Sequence, residues 1–276
     1  MIRDITIGQY YPSESVIHRL DPRVKLICTM LFIISMFCFH RFLGLFLSLV
    51  FLFIVIKISR VPISYIGRGL KPIAGILIFT MLIQVLFSTG TPFFQWGILK
   101  ISWEGIRNAI FLGVRLCLLV FGASMMTFTT TPNHLTDGIE RLFRPLGKIH
   151  VPVHEIAMMM SIALRFIPIL LEETDKIMKA QMARGADFET GGFVKRAKNL
   201  VPILVPLFIS AFRRANDLAM AMEARCYRGG ENRTQMKPLS YDRRDYIAYA
   251  LIIGYLLILF VSVKYIPSLW NIVVVK

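Results

Sequence analysis

Residues Leu26–Ile56 read LICTMLFIISMFCFHRFLGLFLSLVFLFIVI, and this stretch decides the fold class. Two apolar runs, Leu26–Phe39 and Phe42–Ile56, are parted only by His40-Arg41. Runs of this length with so short a polar break read as a tight helical hairpin in a bilayer. Each falls somewhat short of the ~20 residues of an ordinary span, so flanking residues contribute or the bilayer thins locally. Working outward, three more runs follow: Pro72–Phe87, Ile106–Phe128 (with Arg107 and Asn108 at its start and Arg115 inside it) and Tyr246–Tyr265. Between Leu26 and Trp103 the sequence carries a polar connector, Lys57–Lys71, and a turn-rich segment, Ser88–Pro92. Trp96 and Trp103 stand where interfacial aromatics are expected.

Composition agrees with a membrane protein. Of 276 residues 55% are hydrophobic, and the mean hydropathy is +0.61. The net charge of +15 would suit nucleic acid on a soluble basic domain. In a chain with these apolar runs it reads instead as Lys and Arg retained in cytoplasmic loops, and no nucleic acid is expected. Cys28, Cys38, Cys117 and Cys226 form no C-x-x-C pair and read as small apolar side chains rather than a disulfide scaffold. The N-terminal stretch has no signal-peptide pattern. Arg19, Arg23 and Lys25 precede the first run, and Lys57, Arg60, Arg68 and Lys71 follow the second. Both groups belong inside, which predicts a cytoplasmic N-terminus, a cytoplasmic Thr129–Asp245 region and a C-terminus outside.

Thr129–Asp245 has a different character. Two long helical patterns, Val153–Arg184 and Leu200–Arg228, start apolar and finish amphipathic and charged, with Pro168, Pro202 and Pro206 inside them. Their ends match: Ala180-Gln181-Met182-Ala183-Arg184-Gly185 and Ala221-Met222-Glu223-Ala224-Arg225-Cys226. One such ending is an ordinary helix stop, since Arg favours the negative end of the dipole and Gly is the commonest residue just past it. Two in the same register point further, because a small residue beside Arg frees the guanidinium to take a partner's carboxylate with both its prongs.

The chain resembles the transmembrane scaffold, or T component, of energy-coupling factor transporters, related to the cobalt-transport protein of the same type. The likeness is carried by Gly8-Gln9-Tyr10, by His18-Arg19-Leu20-Asp21-Pro22-Arg23-Val24-Lys25-Leu26, and by Gly69-Leu70-Lys71-Pro72. It continues in Thr129-Thr130-Thr131-Pro132, Ser161-Ile162-Ala163-Leu164-Arg165-Phe166-Ile167-Pro168, Ala183-Arg184-Gly185 and Ala219-Met220-Ala221-Met222-Glu223-Ala224-Arg225. Cys226 departs from the pattern, which would have Gly there. The resemblance implies a non-catalytic subunit working with two cytoplasmic ATPases and one small membrane subunit that captures a vitamin or metal ion. It also implies that Arg184 and Arg225, flanked by Ala183, Gly185, Ala224 and Cys226, are the ATPase contacts.

Other constellations are weaker. Glu172 and Glu173 precede Arg213 and Arg214 by the 41 positions that also separate Arg184 from Arg225, so the charges could meet if the helices cross; otherwise both are solvated faces. Ala211, Ala215 and Ala219, like Ala157 and Ser161, permit close helix approach or are plain helix formers. His150 and His154 are split by Pro152, and Met158 stands where a zinc-peptidase helix needs His, so no metal is expected. Arg115 is costly in lipid unless it faces protein or water. No G-x-x-x-x-G-K-[ST] loop occurs, so ATP and any other cofactor belong to other chains. An intramembrane enzyme would need paired carboxylates, a Ser/His pair or a metal cluster within the spans. A stand-alone secondary carrier would want inverted repeats with ionisable residues at mid-membrane. The expectation is an all-α integral membrane protein of about five transmembrane helices with a cytoplasmic region of long coupling helices, in the plasma membrane of a prokaryote. Its parts are 1–128, 129–245 and 246–276.

Overall fold

The computed structural model describes residues 10–39, 41–87, 92–96, 99–186, 188, 192–229 and 238–265. Apart from one two-stranded hairpin, the described chain is helical. It divides into two compact units, one of residues 8–138 with 239–276 and one centred on 139–238.

In the first unit, α1 (Pro22–Cys38) starts because Asp21 caps it, accepting the Arg23 N–H at 2.8 Å, with Pro22 in the first position. The cap is held in turn, as Asp245 Oδ1 accepts the Asp21 N–H at 2.9 Å. The Arg23 guanidinium bonds Asp21, donates to the Leu239 carbonyl and lies 4.4 Å from the centre of the Tyr241 ring. Buried Lys25 donates to the carbonyls of His18 (3.0 Å) and Thr129 (2.8 Å). The chain turns back into α2 (Phe42–Ser59), which ends with Arg60 in the left-handed region at φ 59°.

The connector that reads as merely polar folds in part as α3 (Ile63–Leu70), an amphipathic helix with Ile66 buried. It meets α4 (Ala74–Phe87) at 64°. The segment after α4 also differs from a plain loop. Strands β1 (Pro92–Trp96) and β2 (Leu99–Ser102) pair antiparallel, with Phe94 opposite Ile101 and Trp96 opposite Leu99; aromatic and branched residues suit such strands. Ser102 then caps α5 (Trp103–Thr129), accepting the Gly105 N–H at 3.0 Å. After the second unit, α9 (Arg243–Tyr265) returns to this bundle.

The core of this unit is the seam of α1, α2, α5 and α9, filled by Phe32, Met36, Leu52, Leu118, Phe128 and Leu259. Gly122 is required there, since a Cβ on it would come within 2.6 Å of the Phe32 ring. Tyr255 crosses the seam, its hydroxyl 2.7 Å from Ser48 Oγ and 3.3 Å from Ser35 Oγ, its ring stacked on Phe51.

In the second unit, α6 (Pro132–Phe143), on which the division falls, leads through a 3₁₀ turn (Arg144–Ile149) to α7 (Val153–Ala183) and α8 (Phe193–Ala224). By length and apolarity α2, α5, α7 and α9 can each cross a bilayer, and α3 with α4 can form a fifth, bent span. One membership differs from the sequence reading: α7 joins the set because its first half is apolar enough to qualify, while α1, at 17 residues, is at the short end of span lengths.

Candidate functional site

The site is built on α7 and α8, within the second unit. Glu173 of α7 accepts from Arg214 of α8 through both Nε (3.2 Å) and Nη2 (2.8 Å), and also from the Ser210 hydroxyl. Those bonds, the Ser210 hydroxyl first and Arg214 next, hold the Glu173 carboxyl below the ordinary carboxylate range. Of the two charge pairs suggested by equal spacing, this one forms. Glu172 and Arg213 stay exposed with no ion pair among the described residues.

A second tie comes from proline chemistry. Pro206 has no N–H, so the Pro202 carbonyl four residues earlier lacks its helical donor. Gln181 Nε2 of α7 reaches it at 3.4 Å. Sequence reasoning passed over Gln181 and Ser210; the only signal was the Pro206–Pro202 spacing, which frees one carbonyl.

The two ties fix the sense of the crossing. From Glu173 to Gln181 the contact moves forward along α7, while from Arg214 to Pro202 it moves backward along α8. The helices are therefore antiparallel, and their C-terminal arms leave the crossing in opposite directions. Behind the ion pair lies an apolar groove of about 260 Å³, with Phe166 and Leu170 on one wall and Ala211, Ala215 and Ala219 on the other. The alanine stripe thus faces α7.

Each arm ends the same way. Arg184 (φ −88°, ψ 7°) and Arg225 (φ −91°, ψ 13°) are the C-caps. Gly185 and Cys226 follow in the left-handed region, at φ 88° and 56°. On α7 the Gly185 N–H bonds Met182 O and the Ala186 N–H bonds Gln181 O, both at 3.0 Å. On α8 Cys226 N–H bonds Glu223 O at 2.8 Å, and Tyr227 N–H bonds Met222 O at 3.1 Å. This is one Schellman motif made twice, the second time with a non-glycine residue bearing the strain. The departure at Cys226 leaves the turn intact. Both arginines are exposed, as are Ala183, Gly185, Ala224 and Cys226. Neither guanidinium has an ion pair or hydrogen bond among the described residues.

His150 caps the 3₁₀ turn at φ 62°, off any helix shared with His154. His154 instead joins α7 to α6, its Nδ1 2.8 Å from Glu140.

Comparison with known proteins agrees with the architecture. The family described as cobalt transport protein matches residues 13–236. Three relatives, each named energy-coupling factor transporter transmembrane protein EcfT, align along nearly their whole length. The Clostridium kluyveri protein is 55% identical over 250 residues, 90% of this chain and 93% of the relative. That of Ruminiclostridium cellulolyticum is 52% identical over 256 residues (93% and 96%), and that of Bacillus subtilis 48% over 246 (89% and 93%). With apolar helices able to span a bilayer and a match of this extent, the chain belongs to the family of energy-coupling factor transporter transmembrane proteins.

Proposed function

We propose that this subunit passes the ATP-driven motion of two cytoplasmic ATPases to a third, membrane-embedded subunit that captures a vitamin or metal ion, through contacts at Arg184 and Arg225. The observation that carries this reading is the matched pair of arginine-capped arms on one antiparallel crossing. From Glu173 to Arg184 and from Arg214 to Arg225 the span is the same (184 − 173 = 225 − 214 = 11 residues), about 16 Å of helix each. Two exposed arginines on arms that run in opposite directions suit two partner chains better than one. Ala183, Gly185, Ala224 and Cys226 are small, so a groove wall could close on each arginine. Region 129–245 is the cytoplasmic coupling part, while 1–128 and 246–276 form the membrane part in the plasma membrane of a prokaryote, N-terminus inside and C-terminus outside. Catalysis of ATP hydrolysis belongs to the partners.

The test is Arg184→Ala with Arg225→Ala, reading the amount of variant in the membrane and the ATPase retained on purification. Surface helix ends cost little stability, within about 0.5 kcal/mol. Loss of one side of a desolvated Arg–carboxylate pair costs about 2–5 kcal/mol of binding. The double variant should insert normally and lose its ATPases. Normal retention and normal transport would reduce both arginines to helix stops.

A further inference from the structure

Lys57 and Arg60 stand before α3, Arg68 lies in its last turn and Lys71 caps its end. All four are exposed. None has an ion pair or side-chain hydrogen bond among the described residues; Arg68 has only the Tyr65 ring, 5.9 Å from its guanidinium carbon. No Asp or Glu occurs between Leu26 and Trp103 to neutralise them. The basic residues that precede and open α1 are engaged instead: Arg19 with Glu14, Arg23 with Asp21, and Lys25 with two carbonyls. A basic residue that only sets orientation can sit in any loop. Here Arg68 is carried by a folded helix, and the other three cations flank that helix.

Contacts place α3 at one end of the bundle. Lys25 donates to the Thr129 carbonyl, the Tyr11 N–H to the Phe128 carbonyl, and the Ser13 hydroxyl to the Ser59 carbonyl. The start of α1 and the ends of α2 and α5 therefore share a level. The Tyr65 ring of α3 lies 5.3 Å from Phe128 and 5.4 Å from Tyr11, and a Cβ on Gly69 would come within 3.5 Å of Ser124 Oγ. Since α2 and α5 are able to span a bilayer and both end here, this level is a membrane face. The 64° bend against α4 lays α3 more along that face than through it. Ile66 is buried against the bundle, while Ile63 is 68% exposed, and Ile58 beside Lys57 is exposed too. Apolar and basic side chains thus alternate along one rim, the composition that suits the boundary between headgroups and acyl chains.

We propose that α3 and the last turn of α2 form a seat for anionic phospholipid in the leaflet on the Lys25–Thr129 side. Lys57, Arg60, Arg68 and Lys71 take headgroup phosphates, and Ile58 and Ile63 enter the upper acyl region. Charge complementarity alone would also admit an acidic protein surface. The exposed isoleucines among the cations, at the level where two spans end, favour lipid.

The test uses the full chain, with Trp96, Trp103 and Trp270 replaced by Phe and one reporter, Ile63→Trp, reconstituted in phosphatidylcholine and phosphatidylglycerol. Either lipid is supplied with brominated acyl chains, which quench tryptophan on contact. Brominated phosphatidylglycerol should quench the reporter more strongly than brominated phosphatidylcholine at equal mole fraction. Lys57→Gln with Lys71→Gln should lower that preference severalfold, whereas Arg60→Lys with Arg68→Lys should keep it and so control for folding. Salt raised from about 0.01 M to about 1 M, which shortens the screening length from about 30 Å to about 3 Å, should also lower it without any substitution. A second reporter, Ile253→Trp, sits on α9 with no Lys or Arg between Arg244 and Lys264 and should show no preference. Equal quenching by the two lipids at Ile63→Trp would overturn the proposal, as would a preference that salt leaves unchanged or one equally strong at Ile253→Trp. Loss of quenching by both lipids once the partner chains are assembled would give this face to a protein and overturn it too.

Discussion

Glu173 and Arg214 meet at 2.8 Å where α7 crosses α8, each eleven residues ahead of the arginine that ends its helix (173 to 184 and 214 to 225). In the proposed function the pair is a pivot with two arms of equal length. A push on one arm turns the other only while the crossing stays rigid, and a two-pronged Arg–carboxylate bond with a Ser210 hydroxyl added is a stiff choice. Glu173→Ala should therefore cost little stability, about 1 kcal/mol or less, because the pair is partly exposed. Transport should fall much more than stability. Matched measurements of thermal unfolding and uptake would check this, and equal losses in both would make the pair ordinary packing.

The same carboxyl sets a pH dependence. Its pKa in the folded chain lies below the ordinary range, so its stabilisation is present above the unfolded value of about 4.3 and is lost as pH falls through the lower folded value. Denaturation of the wild type and of Glu173→Gln should thus differ at neutral pH and converge in acid below about pH 4. A gap that persists or widens in acid would contradict the assigned sign.

Cys226 carries a left-handed backbone at φ 56° that its counterpart Gly185 adopts freely. Cys226→Gly should stabilise the α8 terminus by about 0.5–1 kcal/mol, since a side chain with a Cβ is disfavoured there. Cys226→Val should destabilise it more strongly, because branching at Cβ aggravates the same clash. Hydrogen exchange at the Tyr227 amide, bonded to Met222 O, reports the change locally. Faster exchange in the glycine variant would show that the turn is held by something other than its backbone.

Much of this architecture was legible in residue order. The run Leu26–Ile56 announces a hairpin because apolarity sustained over two helix lengths has few other uses, while the equal 41-residue offsets left the contact of Glu173 with Arg214 open against two solvated faces. What escaped the sequence depended on tertiary neighbours. Pro62, Gly67 and Gly69 look like breakers, yet α3 forms across the glycines because burial of Ile66 outweighs their weak propensity. Gln181 carries no sign of a role until α8 presents the carbonyl that Pro206 leaves free. Arg115 looked merely expensive until α1 brought the Phe37 ring to 5.0 Å from its guanidinium carbon.

Lys25 is a tie whose loss should be felt across the bundle. Its ammonium serves two buried or half-buried carbonyls, those of His18 and Thr129. Lys25→Met keeps the stem and leaves both acceptors without a donor, which costs about 1–3 kcal/mol for each group that water cannot reach. Lower melting of the variant in detergent, with helical content retained at low temperature, is the expected result. An unchanged melting curve would mean that water replaces the ammonium.

The course of α7 is the remaining question of topology, and contacts in the first unit constrain it. Lys25 bonded to Thr129 O puts the end of α5 level with the start of α1, and Asp21 N–H bonded to Asp245 puts the start of α9 there as well. On the proposed topology the chain between Thr129 and Asp245 leaves and returns on one membrane face. Among the described residues α7 is the long helix of this region that is apolar enough to cross, and the proposed cytoplasmic coupling part requires that it does not. Lys179, on the charged half of α7, and Asp242, just before α9, should then lie on the same side. In a chain stripped of its four native cysteines, Lys179→Cys and Asp242→Cys should both resist a membrane-impermeant maleimide added outside intact cells, and both should react once the cells are opened. Labelling of Lys179→Cys alone from outside would mean that α7 crosses the membrane, and would remove Arg184 from the reach of a cytoplasmic ATPase.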